Sequence, residues 1–220
     1  MSTRRALLGL VTLNLVLCGQ AAASEDAPTA RPSLFVRGSV GAFFPVYDQS
    51  QDPTESVGVL AGIGMTLLSR NTAGVGVDLD ITRIKRSFTA EGVRRVYVHT
   101  NAYTLGVRGQ TFAGEDVQVF GMGGVGLFET TLQYDIAWSG SIFDWSSGRD
   151  LHDKDSSLGF YVGGGVRMDF GIYGLSLDYR HLFFDQDFTK IDAGSGGFGG
   201  GTLRASVDLN LSRLFAKKQP

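Results

Sequence analysis

The strongest constraint on this chain is a two-residue alternation of apolar and polar side chains, recurring in eight segments with no sustained helical period. The sharpest segment runs Val75, Val77, Leu79, Ile81 against Gly76, Asp78, Asp80, Thr82. In an extended strand successive side chains point to opposite faces, so one face here is apolar and the other carries two carboxylates.

The same pattern places the other strands. The first spans Ser33 to Phe44, with Leu34, Val36, Val40, Ala42 and Phe44 opposite Arg37 and Ser39. The second, Val57 to Leu68, sets Val57, Val59, Ala61, Ile63, Met65 and Leu67 against Gly58, Gly62, Gly64 and Thr66. In the fourth, Val96 to Gly109, only Tyr103, Leu105 and Val107 form a stripe opposite Thr104, Gly106 and Arg108, which suggests a bulge or a half-exposed strand. The fifth runs from Val117 toward Trp138 and is expected to turn Phe128, Leu132, Tyr134, Ile136 and Trp138 away from Glu129, Gln133 and Asp135. The sixth opposes Phe160, Val162, Val166, Met168 and Phe170 to Gly163, Gly165, Arg167 and Asp169. The seventh opposes Leu175, Leu177, Tyr179 and Phe183 to Ser176, Asp178 and Arg180. The eighth opposes Leu203, Ala205, Val207, Leu209 and Leu211 to Arg204, Ser206, Asp208 and Asn210.

Ahead of these strands stands an export signal: Arg4 and Arg5, an apolar run from Ala6 to Cys18, and Ala21 and Ala23 at the spacing a signal peptidase accepts. The expected divisions are a signal peptide over 1–23, a polar lead-in over 24–32, a barrel over 33–215 and a tail over 216–220. The sole cysteine, Cys18, leaves with the signal, so a disulfide scaffold is excluded. Removing the signal's two arginines leaves 18 basic against 22 acidic groups, a balance that gives no support to nucleic-acid binding. Glycine occurs 31 times without a Gly-X-Y period, which fits close packing beside large inward side chains rather than a collagen repeat.

Connections alternate in length. Ser69 to Thr72, Gln110 to Glu115 and Gly171 to Gly174 are short; Pro45 to Ser56, Lys85 to Arg95, Ser139 to Ser157 and Asp185 to Gly200 are longer and more polar. Sorting of this kind characterises a membrane barrel with short periplasmic turns and longer extracellular loops. Because lipid offers no hydrogen bonds, only helices or closed sheets span it, and this chain has no spanning apolar run. The expected class is therefore all-β: an eight-stranded antiparallel transmembrane barrel in the cell outer membrane. A secreted lipocalin-like barrel has the same alternation with its faces exchanged. Against it stand the sorted loops, the glycine-rich and charged minority face, and the closing series Val207, Leu209, Leu211, Phe215.

In that barrel Arg37, Asp78, Asp80, Arg108, Glu129, Arg167, Asp169, Asp178, Arg180, Arg204 and Asp208 point inward. Eight strands enclose a space that side chains fill, and buried charges there must be paired. A plugged lumen is expected.

On the opening LFVRGSVGAFF, the phrase LSLDYRHLFF and the closing VDLNLSRLF, the chain resembles the eight-stranded outer-membrane barrel family of opacity-type proteins and the transmembrane domain of outer-membrane protein A. The resemblance covers Ser33 to Phe215, with Ala216 to Pro220 added beyond the last aromatic. It implies that Val207, Leu209, Leu211 and Phe215 form the signal read by the barrel-assembly machinery, and that outer-membrane lipid and lipopolysaccharide surround the barrel. It further implies loops serving adhesion, complement resistance or envelope attachment, with an extracellular ligand as a possible partner.

Catalytic groups do not assemble in the sequence. Ser176 and His181 fall on opposite faces, and the residue two beyond His181 is Phe183 where lipid A deacylase barrels carry serine. His181 shares a face with Tyr179 and Phe183, as an aromatic belt requires, and His99 reads as a rim residue. Asp150, His152, Asp153 and Asp155 lack the spacing and glycine of a calcium hand and read as solvated loop, while Gly194 to Gly201 reads as a pliable tip. No catalytic residue, metal ligand or cofactor is assigned. The expected function is a non-enzymatic barrel presenting loops, against three alternatives: a lipid A or phospholipid-modifying enzyme, a soluble ligand-binding barrel, and a narrow solute channel.

Overall fold

In the computed structural model of the chain, the described residues are 32–45, 57–68, 74–90, 93–113, 116–135, 151–187, 195–197 and 199–215. The elements are β1 (Ser33–Pro45), β2 (Gly58–Leu68), β3 (Gly74–Ala90), β4 (Val93–Phe112), β5 (Val117–Asp135), β6 (Leu151–Phe170), β7 (Tyr173–Phe183), β8 (Asp185–Asp187), β9 (Ser195–Gly197), β10 (Gly200–Asn210) and the single helical turn α1 (Leu211–Leu214).

Eight of these strands close into an antiparallel barrel in the order β1-β10-β7-β6-β5-β4-β3-β2, while β8 and β9 form a small separate hairpin. Closure comes from β1 against β10, where Arg37 lies opposite Asp208 and Ala42 opposite Leu203. Every barrel strand then has two neighbours and no edge is left open.

The apolar residues of the lower barrel face outward. Val77, Leu79, Ile81, Val107, Val166, Leu177 and Val207 are exposed, while the alternating Asp78, Asp80, Arg108, Arg167, Asp178 and Asp208 are buried. This is inverted relative to a water-soluble barrel and is the arrangement that a lipid surround stabilises.

Four expectations are corrected. The segment Lys85 to Arg95 is not a long loop, because β3 and β4 run on as a hairpin interrupted only at 91–92. Likewise Ser139 to Ser157 is shorter than expected as a connection, since β6 begins at Leu151 and its backbone pairs His152 with Gln133. In β5, Phe128 and Leu132 are buried in the interior and Glu129 lies on the outer face. Lastly, the closing strand stops at Asn210, whose side-chain Oδ1 accepts from the Arg213 backbone N–H at 3.0 Å and starts α1. Leu211 is thus in the helical turn and Phe215 follows it, off the strand ladder that carries Val207 and Leu209.

The weak outward stripe of the fourth segment also has a cause. Along β4 the apolar side changes from outward at Tyr103, Leu105 and Val107 to inward at Val96, Val98 and Ala102. At the opposite end the β6–β7 turn is tight, with Gly171 at φ +82, a left-handed conformation that favours glycine. The expected signal segment 1–23, residues 24–31 of the lead-in, Ile136, Trp138 and the tail 216–220 lie outside the described residues.

Candidate functional site: the charged interior of the barrel

Nine of the eleven ionisable residues assigned to the lumen meet there: Arg37, Asp78, Asp80, Arg108, Arg167, Asp178, Arg180, Arg204 and Asp208, each no more than 4% exposed. Strand alternation supplies them. Each sits two residues from another inward position on a strand whose outward neighbours are apolar, so folding the outer belt forces the charges together.

Asp80 is the hub. Its Oδ2 lies 2.9 Å from Arg180, 3.0 Å from Arg204 and 3.7 Å from Arg37. In the barrel order β7 stands four strands from β3, so the Asp80–Arg180 pair crosses the full width of the interior. Asp178 accepts from Arg180 at 2.9 Å and lies 3.4 Å from Arg204. Asp208 joins Arg37 at 3.1 Å and Arg167 at 3.4 Å, and accepts from the Ser176 hydroxyl at 3.2 Å. Asp78 completes the set through Arg37 at 3.1 Å and the Thr66 hydroxyl. Such sharing suits the planar, five-donor guanidinium. Loss of one partner strands another charge in a medium that cannot solvate it, at a cost of about 3–5 kcal/mol.

Aromatic faces take up charge that the carboxylates leave. The Arg108 guanidinium lies 3.6 Å from the centre of the Phe120 ring, and that of Arg167 lies 4.0 Å from Phe35. Glycine makes the space: a Cβ at Gly106 would collide with the Tyr161 hydroxyl, and Tyr161 in turn lies 5.5 Å from Arg180.

The two remaining residues are placed elsewhere. Glu129 is outside, half-buried and 3.7 Å from Lys154, because the upper part of β5 turns its apolar side inward. Asp169 sits at the turn rim, 3.5 Å from Arg213, and accepts from the Gly171 N–H at 3.1 Å. The network therefore holds five arginines and four aspartates rather than five and six.

Above the network the interior gains an apolar cluster among polar side chains that include Thr100, Thr130, Arg86 and Asp153. Leu60, Ile84, Ala102, Phe128, Leu182 and Phe184 belong to one buried cluster with Tyr161. Phe128 stacks on Phe184 with ring centres 4.3 Å apart, and the Gln186 amide covers the pair, donating to Phe128 O at 3.1 Å and Ser157 Oγ at 3.0 Å.

Sequence reasoning missed Arg86 and Asp153, both buried. Each continues the inward parity of its strand, Arg86 after Ile84 and Asp153 ahead of Tyr161, but both were assigned to loops. Carrying the alternation past the last outward apolar residue is the signal that finds them.

Ser176 and His181 are apart, as their faces require. Ser176 points inward to Asp208, while His181 Nδ1 is 3.3 Å from the Tyr179 hydroxyl and its ring is 4.4 Å from Phe183 on the outer wall. His99 is half-buried on the outer face of β4. Among the described residues no cluster of His, Cys, Asp and Glu is arranged to hold a metal ion.

A closed sheet of eight strands with an apolar exterior and a paired ionic interior defines the class of eight-stranded outer-membrane β-barrels. No known family profile matches the chain, and no curated protein sequence does. Among solved structures it is similar to Neisserial surface protein A at 16% identity, covering 80% of this chain and 96% of that chain, TM-score 0.55. It is similar also to the outer membrane protein OprG from Pseudomonas aeruginosa at 11% identity, covering 82% of this chain and 96% of that chain, TM-score 0.53. Structural likeness at identities this low shows a shared fold alone.

Proposed function

We propose that this chain is a non-enzymatic outer-membrane protein, exported by a signal over 1–23, whose barrel over 33–215 is closed by its ionic interior. Its outer connections then serve envelope integrity, adhesion or recognition of a surface ligand. The supporting observation is the Asp80–Arg180–Arg204 cluster, which reaches from β3 to the opposite wall, under the stacked Phe128–Phe184 pair. Paired charge and stacked rings at two heights leave side chains, not water, as the natural filling of so narrow a barrel. Long connections over 46–57, 136–150 and 184–199 emerge at one end and the turns at 69–73, 113–116 and 171–172 at the other, which orients the former outward.

Recognition is proposed to rest on the aromatic and charged residues of these connections and of the β3–β4 hairpin, Tyr47, Asp52, Phe88, Arg94, Arg95, Phe143, Trp145, Phe188 and Phe198; six of them lie outside the described residues, as do the side chains of Phe88, Arg94 and Arg95. The barrel-assembly machinery is the partner proposed for Val207, Leu209, Leu211 and Phe215. Because only Val207 and Leu209 remain on β10, the recognised stretch is proposed to be presented before α1 forms.

The test combines location and conductance. Mature protein is expected in outer-membrane fractions, migrating faster unheated than boiled, and giving planar bilayers no steady large channel. Stable nanosiemens openings would overturn the closed interior; a soluble periplasmic product without a heat shift would overturn the membrane reading in favour of a lipocalin-like barrel.

A further inference from the structure

The outer wall changes chemistry along a single register row. On β3, β4, β5 and β6 the continuous apolar outward belt ends at Ile81, Tyr103, Leu127 and Leu158, consecutive cross-strand partners, with Tyr97 a single aromatic above it on β4. The next outward residues, also consecutive partners, are Arg83, Asn101, Glu129 and Ser156; the row after that is Lys85, His99, Thr131 and Lys154. Arg83 and Lys85 are exposed, adjacent on β3, and flanked by the polar side chains of Asn101 and His99. The acidic residue of these rows, Glu129, is engaged by Lys154.

Directly below lies a groove of about 700 Å³ on the same wall, almost wholly apolar. Its banks are the rows of Ile81, Tyr103 and Leu127 above and Leu79, Leu105 and Val125 below, and its floor runs along the backbone from Gly64 to Gly126. Four strands at about 4.8 Å spacing make this floor roughly 14 Å long, enough to seat a hydrocarbon chain across the sheet.

From the cationic row capping the apolar groove we infer that the outer wall of β2 to β6 is a binding site for a phosphorylated, multiply acylated glycolipid of the outer leaflet. Phosphate is taken by Arg83 and Lys85, sugar hydroxyls by Asn101, His99 and Thr131, and an acyl chain by the groove. This rests on the outer-membrane reading above, which places the long-connection end in the outer leaflet. Charge complementarity selects the occupant: Arg83 and Lys85 stand exposed two residues apart on one strand face, and an anionic headgroup neutralises both. A guanidinium beside an ammonium, both at the boundary of the apolar belt, meets a phosphate at the depth where headgroups lie.

The experiment is native mass spectrometry of the mature barrel, already showing its heat shift, mixed in detergent with bisphosphorylated lipid A, dephosphorylated lipid A or phosphatidylglycerol. Wild type is expected to retain bisphosphorylated lipid A at least tenfold better than the other two. The exposed double variant R83Q/K85Q should lose that preference while keeping the heat shift, and Leu105→Trp, which fills the groove, should weaken retention of both lipid A forms. R213Q, a charge removed at the far rim, should change nothing. Equal retention of phosphatidylglycerol, or unchanged lipid A retention by R83Q/K85Q, would overturn the inference and leave the barrel reading standing. Absence of any heat shift before lipid is added would overturn both.

Discussion

The lower barrel and the upper wall obey opposite rules. Below the row of Ile81 and Leu127 the apolar side chains face out and the charges face in; above it Ile84, Val96, Val98, Phe128 and Leu132 face in and Arg83, Lys85, Glu129 and Lys154 face out, with Arg86 and Asp153 the charges that still face inward there. One continuous sheet therefore carries both arrangements, and backbone pairing passes through the reversal without a break on β3, β4, β5 and β6. Such a reversal within unbroken strands is what a change of surroundings from hydrocarbon below to water above would select, since the medium and not the strand decides which face is apolar. Strand lengths follow. The four strands that continue above the row have 17, 20, 19 and 20 residues, whereas β1, β2, β7 and β10 have 13, 11, 11 and 11.

The largest expected effect comes from the charged interior of the lower region. Asp80→Ala removes the carboxylate shared by Arg37, Arg180 and Arg204, and reversible urea unfolding in lipid vesicles should show a loss of about 3–5 kcal/mol. A loss under 1 kcal/mol would mean that the arginines find other acceptors and that the hub is not structural.

Phe128→Ala probes the upper region, where a water-type core should respond as cores do. Removing a fully buried ring stacked on Phe184 should cost about 3 kcal/mol, at the lower end of the usual range because the site is near the barrel mouth. The gel heat shift, which reports the closed barrel below the stack, should persist; its loss at low denaturant would show that the two regions do not unfold separately.

The smallest effect is expected outside. Glu129→Gln removes the pair with Lys154, whose side chain is 61% exposed, and should shift stability by about 0.5 kcal/mol or less. A cost above 2 kcal/mol would place Glu129 in a drier setting than the upper wall provides.

How much of this was legible follows from the same reversal. Where one face was apolar and the other charged, as at Val75 to Thr82, period and composition agreed and the inward Asp78 and Asp80 were found from sequence. In β5 the stretch from Val119 to Phe128 is apolar or glycine on both faces, so the inward parity was marked only by Gln118, ten residues before Phe128, and nothing nearer told Phe128 and Glu129 which way to point. Above the belt, the polar outward residues of β3 and β6 looked like loop because lipid no longer filtered them, which hid Arg86 and Asp153. At the closing end the alternation of Leu209 and Leu211 continues, but Asn210 caps a helical turn, a local hydrogen bond that outweighs the pattern.

Whether the reversal row lies at the surface of the membrane is read out by a quenching scan along the outer face of β3. The mature chain, lacking Cys18 as proposed, receives one cysteine at a time at Val75, Val77, Leu79, Ile81, Arg83 and Lys85, each labelled with a small fluorophore in vesicles. Brominated lipid should quench strongly from Val77 to Ile81 and weakly at Arg83 and Lys85, where an aqueous quencher takes over. Aqueous quenching at all six positions, or lipid quenching that persists undiminished through Lys85, would contradict that placement of the row.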